Sequence, residues 1–247
     1  MNNVKNTQIH TEKTKILNFD DPTIEALISR SGWEQLNDFD KIGAVYNFVK
    51  DDIKFGYNAS DNLSASQVLK DGYGQCNTKS TLLMALLRRL GIPNRFHGFT
   101  IDNALQKGAI PTYLFGFAPK HIIHSWVEVF YDNRWINLEG FILDDSYLSA
   151  IQTKFSNVEG SFSGYGIATK CLTNPPVQWT GTDTYIQKEG ISQDFGVYDN
   201  PDAFYEEKGT NLSGVKRLLF KFVLRHLMNV NVQKIRKPKK LPTPATA

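Results

Sequence analysis

Apolar residues recur at two different periods along this 247-residue chain, and the change of period marks its organisation. Asp20-Asp21-Pro22, with acids and a proline in a first turn, predicts a helix running to Ser29. From Asp38 the apolar positions Ile42, Val45, Tyr46 and Val49 repeat at helical spacing. Residues 53–57 read as a short strand or turn, and Ser64 opens a short helix to Lys70. From Cys76 the spacing is helical again, with Cys76, Ser80, Leu83, Leu87 and Leu90 on one face. Gly91 and Pro93 stop that helix. Just before it, Gly72 and Gly74 permit a tight approach of the chain.

Beyond Pro93 the period falls to two. Arg95 to Thr100 predicts a strand, and Ser125 to Tyr131 with Trp135 to Gly140 predicts a hairpin around Asp132-Asn133. A two-residue turn there sets Tyr131 opposite Arg134, Trp126 opposite Glu139 and His124 opposite Phe141. His124, Trp126, Glu128 and Glu139 then share one face, whereas a one-residue slip would send Glu139 to the other. Residues 156–166 read as loop, and 172–210 carry turn residues and aromatics without a period. The loops 101–120 and 156–166 are expected to shape a cleft. From Leu212 a stripe returns at helical spacing: Val215, Leu218, Leu219, Phe222, Val223, Leu227 and Val230.

Charge changes this picture at the C-terminal end. Residues 211–247 hold nine of the 28 Lys and Arg and none of the 25 acids, so an acidic body carries a basic tail. That tail reads either as a helix docked on the core with a solvated basic end, or as an interfacial helix making weak contact with an anionic membrane surface. Nucleic acid is not expected as a partner, because aromatic residues are not interleaved with the bases. Two cysteines, Cys76 and Cys171, make no disulfide framework and suit a reducing compartment. With no signal-peptide pattern at Met1 and no apolar run near a membrane span, the expected location is the cytoplasm.

The candidate chemistry centres on Cys76. A free thiol ionises near pH 8.5, and a helix N-terminus, with unpaired N–H groups and partial positive charge, favours the thiolate. The same N–H groups can hold an oxyanion. His124 on the hairpin is the candidate base, with His121 three residues away as the alternative, and Glu139 is placed to orient the ring. Without such a base, Cys76 reads as an inert core thiol, or as a redox sensor resolved by Cys171. Cys76, His121, His124 and Cys171 lack zinc-ligand spacing, so no metal is expected.

Four blocks in order sharpen this reading: residues 64–76 ending in Gly74-Gln75-Cys76; Arg88-Arg89-Leu90-Gly91-Ile92-Pro93-Asn94-Arg95; His124-Ser125-Trp126-Val127-Glu128; and Trp135-Ile136-Asn137-Leu138-Glu139. Together they resemble the transglutaminase-like superfamily. The resemblance implies a papain-like α+β core, its nucleophile at a helix N-terminus packed on an antiparallel sheet. It also implies a Cys76–His124–Glu139 triad acting on amide bonds of a protein or peptide through a thioester, with no organic cofactor. With the patterns above, the chain is expected to divide into a flexible arm (1–16), a catalytic domain (17–170), an irregular extension (171–210) packed on the core and an amphipathic helix with basic tail (211–247). The family normally has Asp where this chain has Glu139, which leaves Asp144 or Asp145 as substitutes and a binding module that keeps the fold without the chemistry as the alternative. Gln75 and Tyr73 are candidate oxyanion donors, and Trp126 a supporting residue beside His124.

Overall fold

A computed structural model describes residues 9–237. In chain order its elements are α1 (Pro22–Ser31), α2 (Asp38–Asn47), β1 (Lys54–Phe55), α3 (Ala65–Asp71), β2 (Tyr73–Gly74), α4 (Cys76–Arg89), β3 (Asn94–Asp102), β4 (His121–Tyr131), β5 (Arg134–Leu138), α5 (Asp145–Lys154), β6 (Phe162–Gly164), β7 (Ile167–Thr169), β8 (Ile191–Tyr198), α6 (Pro201–Lys208), α7 (Gly214–Leu219) and α8 (Arg225–Arg236). The architecture is α+β. Its four-stranded sheet runs in the order β5-β4-β3-β8, every neighbouring pair antiparallel.

The local chemistry accounts for the helix starts. Asp21 caps α1 through its side chain, ahead of the proline; Asn37 caps α2 and Ser64 caps α3 in the same way. α4 is the central helix. Its residues Leu82 to Leu87 are all buried, and it packs against β4. Gly74 lets it come close: a Cβ there would fall 2.7 Å from the Thr78 hydroxyl and 2.9 Å from the Lys79 side chain. The β4–β5 hairpin turns on Asp132 and Asn133, both at positive φ, the mirror-image turn that matches strand twist. Its ladder pairs Tyr131 with Arg134 and Val127 with Leu138, the register a two-residue turn dictates.

Two stretches differ from the sequence expectation. Residues 171–210 are not all irregular: β8 completes the sheet on β3, and α6 packs on it. Its alternation was hidden because β8 is an edge strand with exposed residues on both faces and a ladder that slips twice against β3. Gly98 in β3 makes room for α6, since a Cβ there would collide with the Phe204 ring. The arm expected to be flexible is pinned wherever it is described, from residue 9. Ile16 is buried, its N–H donates to Asp202 at 3.1 Å, and the Arg88 guanidinium donates to the Glu12 carbonyl at 2.7 Å. Residues 1–8 of that arm, and Lys239 and Lys240 of the basic tail, lie outside the described residues.

Candidate active site

Cys76 is the first residue of α4, buried, with its side chain at the floor of a cleft. Gln75 is the N-cap residue, and the Thr78 hydroxyl accepts its N–H at 3.1 Å. The N–H groups of Cys76 and Asn77 lie in the first helical turn and have no carbonyl partner within the helix. They therefore lie where an oxyanion could be held, beside the thiol.

His124, in β4, is fully buried and faces Cys76. Its Nε2 donates to Glu139 Oε1 at 2.7 Å, and its Nδ1 makes no other hydrogen bond among the described residues. The ring is thus oriented by one nitrogen and offers the other to the thiol. Burial alone would lower the histidine pKa. The charge interaction and hydrogen bonding with Cys76 and Glu139 on either side outweigh burial and push it up to about 10. The ring is accordingly held as imidazolium across the neutral range.

Glu139 follows directly after β5 and is fully buried. Its Oε2 accepts three backbone N–H bonds, from Ile186 at 2.8 Å, Gln187 at 2.9 Å and Lys188 at 3.1 Å. This answers the question of the longer side chain. The extra methylene carries one oxygen to His124 while the other is received by the 186–188 backbone. Asp144 and Asp145 do not substitute. Asp144 caps α5 and binds Arg236, and Asp145 pairs with Lys50.

The other sequence candidates divide. Gln75 lines the cleft, but its Oε1 accepts the Asn58 N–H at 2.9 Å and its Nε2 contacts Asp61 at 3.5 Å. Tyr73 does not line the cleft, and its hydroxyl accepts from Arg225 at 2.8 Å. Trp126 reaches His124 indirectly, packing on Phe99 at 4.1 Å between ring centroids, with Phe99 in turn 6.2 Å from the His124 ring. His121 is exposed near Ser192 and is not brought to the thiol, and Cys171 contacts Thr173. Of the two loops, residues in 110–119 line the cleft and none in 156–166 does. Among the described residues no three His, Cys, Asp or Glu side chains gather as a metal site.

Sequence reasoning missed a second group of residues. Asn77 is buried and stitches the start of α4 to the strand of His124 on both sides: its Nδ2 donates to the Ile123 carbonyl at 3.0 Å, and its Oδ1 accepts from Ser125 at 3.0 Å. Asp61 accepts from the same Asn77 Nδ2 at 3.1 Å and from the backbone N–H of Asn211 at 2.9 Å. The signal was present. Five of the six residues from Cys76 to Thr81 are polar, yet all six are buried, so a polar partner for each is required. From Asn211 the chain continues as α7, a wide turn at 220–224, and α8, which together roof the cleft with Leu212, Leu219, Phe220, Leu224 and Met228. The cleft holds about 180 Å³ and its walls are mostly apolar.

The family model of the transglutaminase-like superfamily matches residues 28–140. Among solved structures, the chain is similar to one described as a "putative cysteine protease" from Cytophaga hutchinsonii, at 12% identity and TM-score 0.46, covering 80% of this chain and 48% of that one. It is also similar to red sea bream transglutaminase, at 12% identity and TM-score 0.32, covering 89% of this chain and 32% of that one. The chain thus spans about half the length of the first and a third of the second. No curated protein matches it.

Proposed function

With residues 28–140 a transglutaminase-like core, we propose that the protein is a cysteine enzyme acting on amide bonds of a protein or peptide through a thioester. The observation that carries this reading is the buried His124 ring, held between Cys76 and a Glu139 whose second oxygen is fixed by three backbone amides.

The chemistry follows from that arrangement. The Cys76 sulfur attacks the carbonyl carbon, and the carbonyl π electrons move to oxygen beside the first-turn N–H groups of α4. As the tetrahedral intermediate collapses, His124 Nδ1 gives its proton to the departing nitrogen, and an amine leaves. Water then enters. His124 takes one of its protons, the oxygen attacks the thioester, and the thiolate departs to leave a carboxylic acid. Glu139 keeps its negative charge throughout, stabilising the imidazolium and fixing which nitrogen faces sulfur. We favour hydrolysis over transfer to an amine because the cleft beside Cys76 has mostly apolar walls and its carboxylate, Asp61, is already bonded to Asn77 and Asn211.

The binding-module alternative rested on Glu139 being unable to do the work of an aspartate. Glu139 Oε1 lies 2.7 Å from His124 Nε2, which supports the enzyme over the module. The test is to incubate the protein with a peptide library and seek a mass adduct on Cys76. A thioester adduct absent from Cys76→Ser supports the enzyme. Peptide binding that is unchanged in Cys76→Ser, with no adduct in the native protein, refutes it.

A further inference from the structure

The segment 214–236 has two apolar faces, and one of them is uncovered. Phe220, Leu224, Met228 and Val232, four residues apart, turn inward onto the cleft and core. Val215, Leu218, Leu219, Phe222, Val223, Leu227 and Val230 are exposed, Val215 by 81% and Phe222 by 64%. The wide turn at 220–224 adds the residue that keeps both rows in line. This is the stripe that the sequence left to either the core or a membrane surface, and most of it is exposed. A second exposed apolar patch stands at the same cleft: Tyr113, 70% exposed, and Phe117, 57% exposed, on the loop that forms its other wall. Nine of the twelve large exposed apolar side chains among the described residues lie on these two segments. Scattered surface leucines need no cause, but such a concentration marks an interaction site.

We infer that this rim, the outward face of 214–230 with the tip of the 112–118 loop, docks on an anionic lipid surface. Charge selects the occupant. Lys216, Arg217, Lys221 and Lys234 are exposed along the same segment, and no acid occurs from residue 211 onward. An apolar helical face bordered by cations is the form that lies in a membrane interface, its cations among the headgroups. A second copy would bring two acid-free basic segments together. The rim is also convex, a helix and a loop tip, as suits a bilayer better than a protein groove. Docking would lay the mouth of the Cys76 cleft against the membrane.

Sedimentation of the 247-residue protein with phosphatidylcholine vesicles, with and without phosphatidylglycerol, tests this. Binding is expected to the anionic vesicles, weakening as salt rises. Lys221→Glu, which changes the charge by two, is expected to lower partitioning about thirtyfold. Phe222→Ser with Val223→Ser is expected to lower it at least tenfold; all three residues lie outside the cleft lining, and an unchanged circular-dichroism melting curve shows that the fold is intact. A Phe222→Trp variant is expected to blue-shift its fluorescence on the anionic vesicles. Equal partitioning into both vesicle types, or none, overturns the inference. So does a concentration-dependent dimer that Phe222→Ser abolishes, since the face would then belong to a second copy.

Discussion

Replacing Glu139 with Gln removes one charge and no volume, and its effect can be worked from the four donors around the carboxylate. Three are backbone N–H groups within 3.1 Å of Oε2, and the fourth is His124 Nε2 at 2.7 Å from Oε1. All of them are spent on a residue with no exposed surface. Hydrogen bonds to a charged group contribute about 1.5–3 kcal/mol each, and neutral ones about 0.5–1.5 kcal/mol. The amide oxygen of Gln would turn to the three backbone donors, losing roughly 1 kcal/mol at each. Its NH2 would then face His124 Nε2, which must accept, so the ring is held with its proton on Nδ1 and can no longer take one from the thiol. The net expected loss is about 3 kcal/mol, read as a lower urea midpoint at pH 7 with unchanged slope. Glu139→Asp, although it restores the family's usual residue, is expected to cost about 1–3 kcal/mol, because the shorter carboxylate reaches either the ring or the 186–188 backbone. A midpoint for Glu139→Gln within 0.5 kcal/mol of native would refute the reasoning, as would Glu139→Asp being more stable than native.

Two further outcomes follow from the same structure. Asn77→Leu keeps the volume but strands the Ser125 hydroxyl and takes a donor from both Asp61 and the Ile123 carbonyl, so a loss of about 2–4 kcal/mol in urea is expected, with slower Cys76 alkylation from the loosened thiol–imidazole geometry; a neutral effect on both would deny Asn77 its positioning role. Burial raises the Asp144 pKa, but the Arg236 guanidinium, the Ser146 hydroxyl and the Phe55 N–H together hold it well below the usual carboxylate range. Its stabilising contribution is therefore present above the unfolded value near 3.9 and lost as pH falls below it. Arg236→Gln is expected to cost about 3–5 kcal/mol at pH 7 and to flatten the acid limb of stability against pH; an unaltered acid limb would contradict the pairing.

The helix starts and the hairpin were legible because their signals are local. Asp21, Asn37 and Ser64 cap their own helices, and two positive-φ residues between alternating runs fix the register that carries His124 beside Glu139. What the sequence hid is non-local. The 186–188 backbone that receives Glu139 has no side-chain signature, because N–H groups are common to almost every residue. The edge strand β8 lacks a buried face to impose a period. The C-terminal stripe was visible, but periodicity says only that a helix has an apolar face, not whether that face meets the core or the solvent; the inner row of Phe220, Leu224, Met228 and Val232 took the core.

The proposed reaction rests on the buried His124 ring, fixed by the Glu139 carboxylate, activating the Cys76 thiol. The rate of Cys76 alkylation by iodoacetamide against pH, in a Cys171→Ser background, tests it most directly. With His124 held charged up to about pH 10, the rate is expected to persist down to pH 6 and to drop there about three-hundredfold in His124→Ala, whose thiol would ionise near pH 8.5 like a free one. A native profile that rises with a midpoint near 8.5, and is unchanged by His124→Ala, would contradict it.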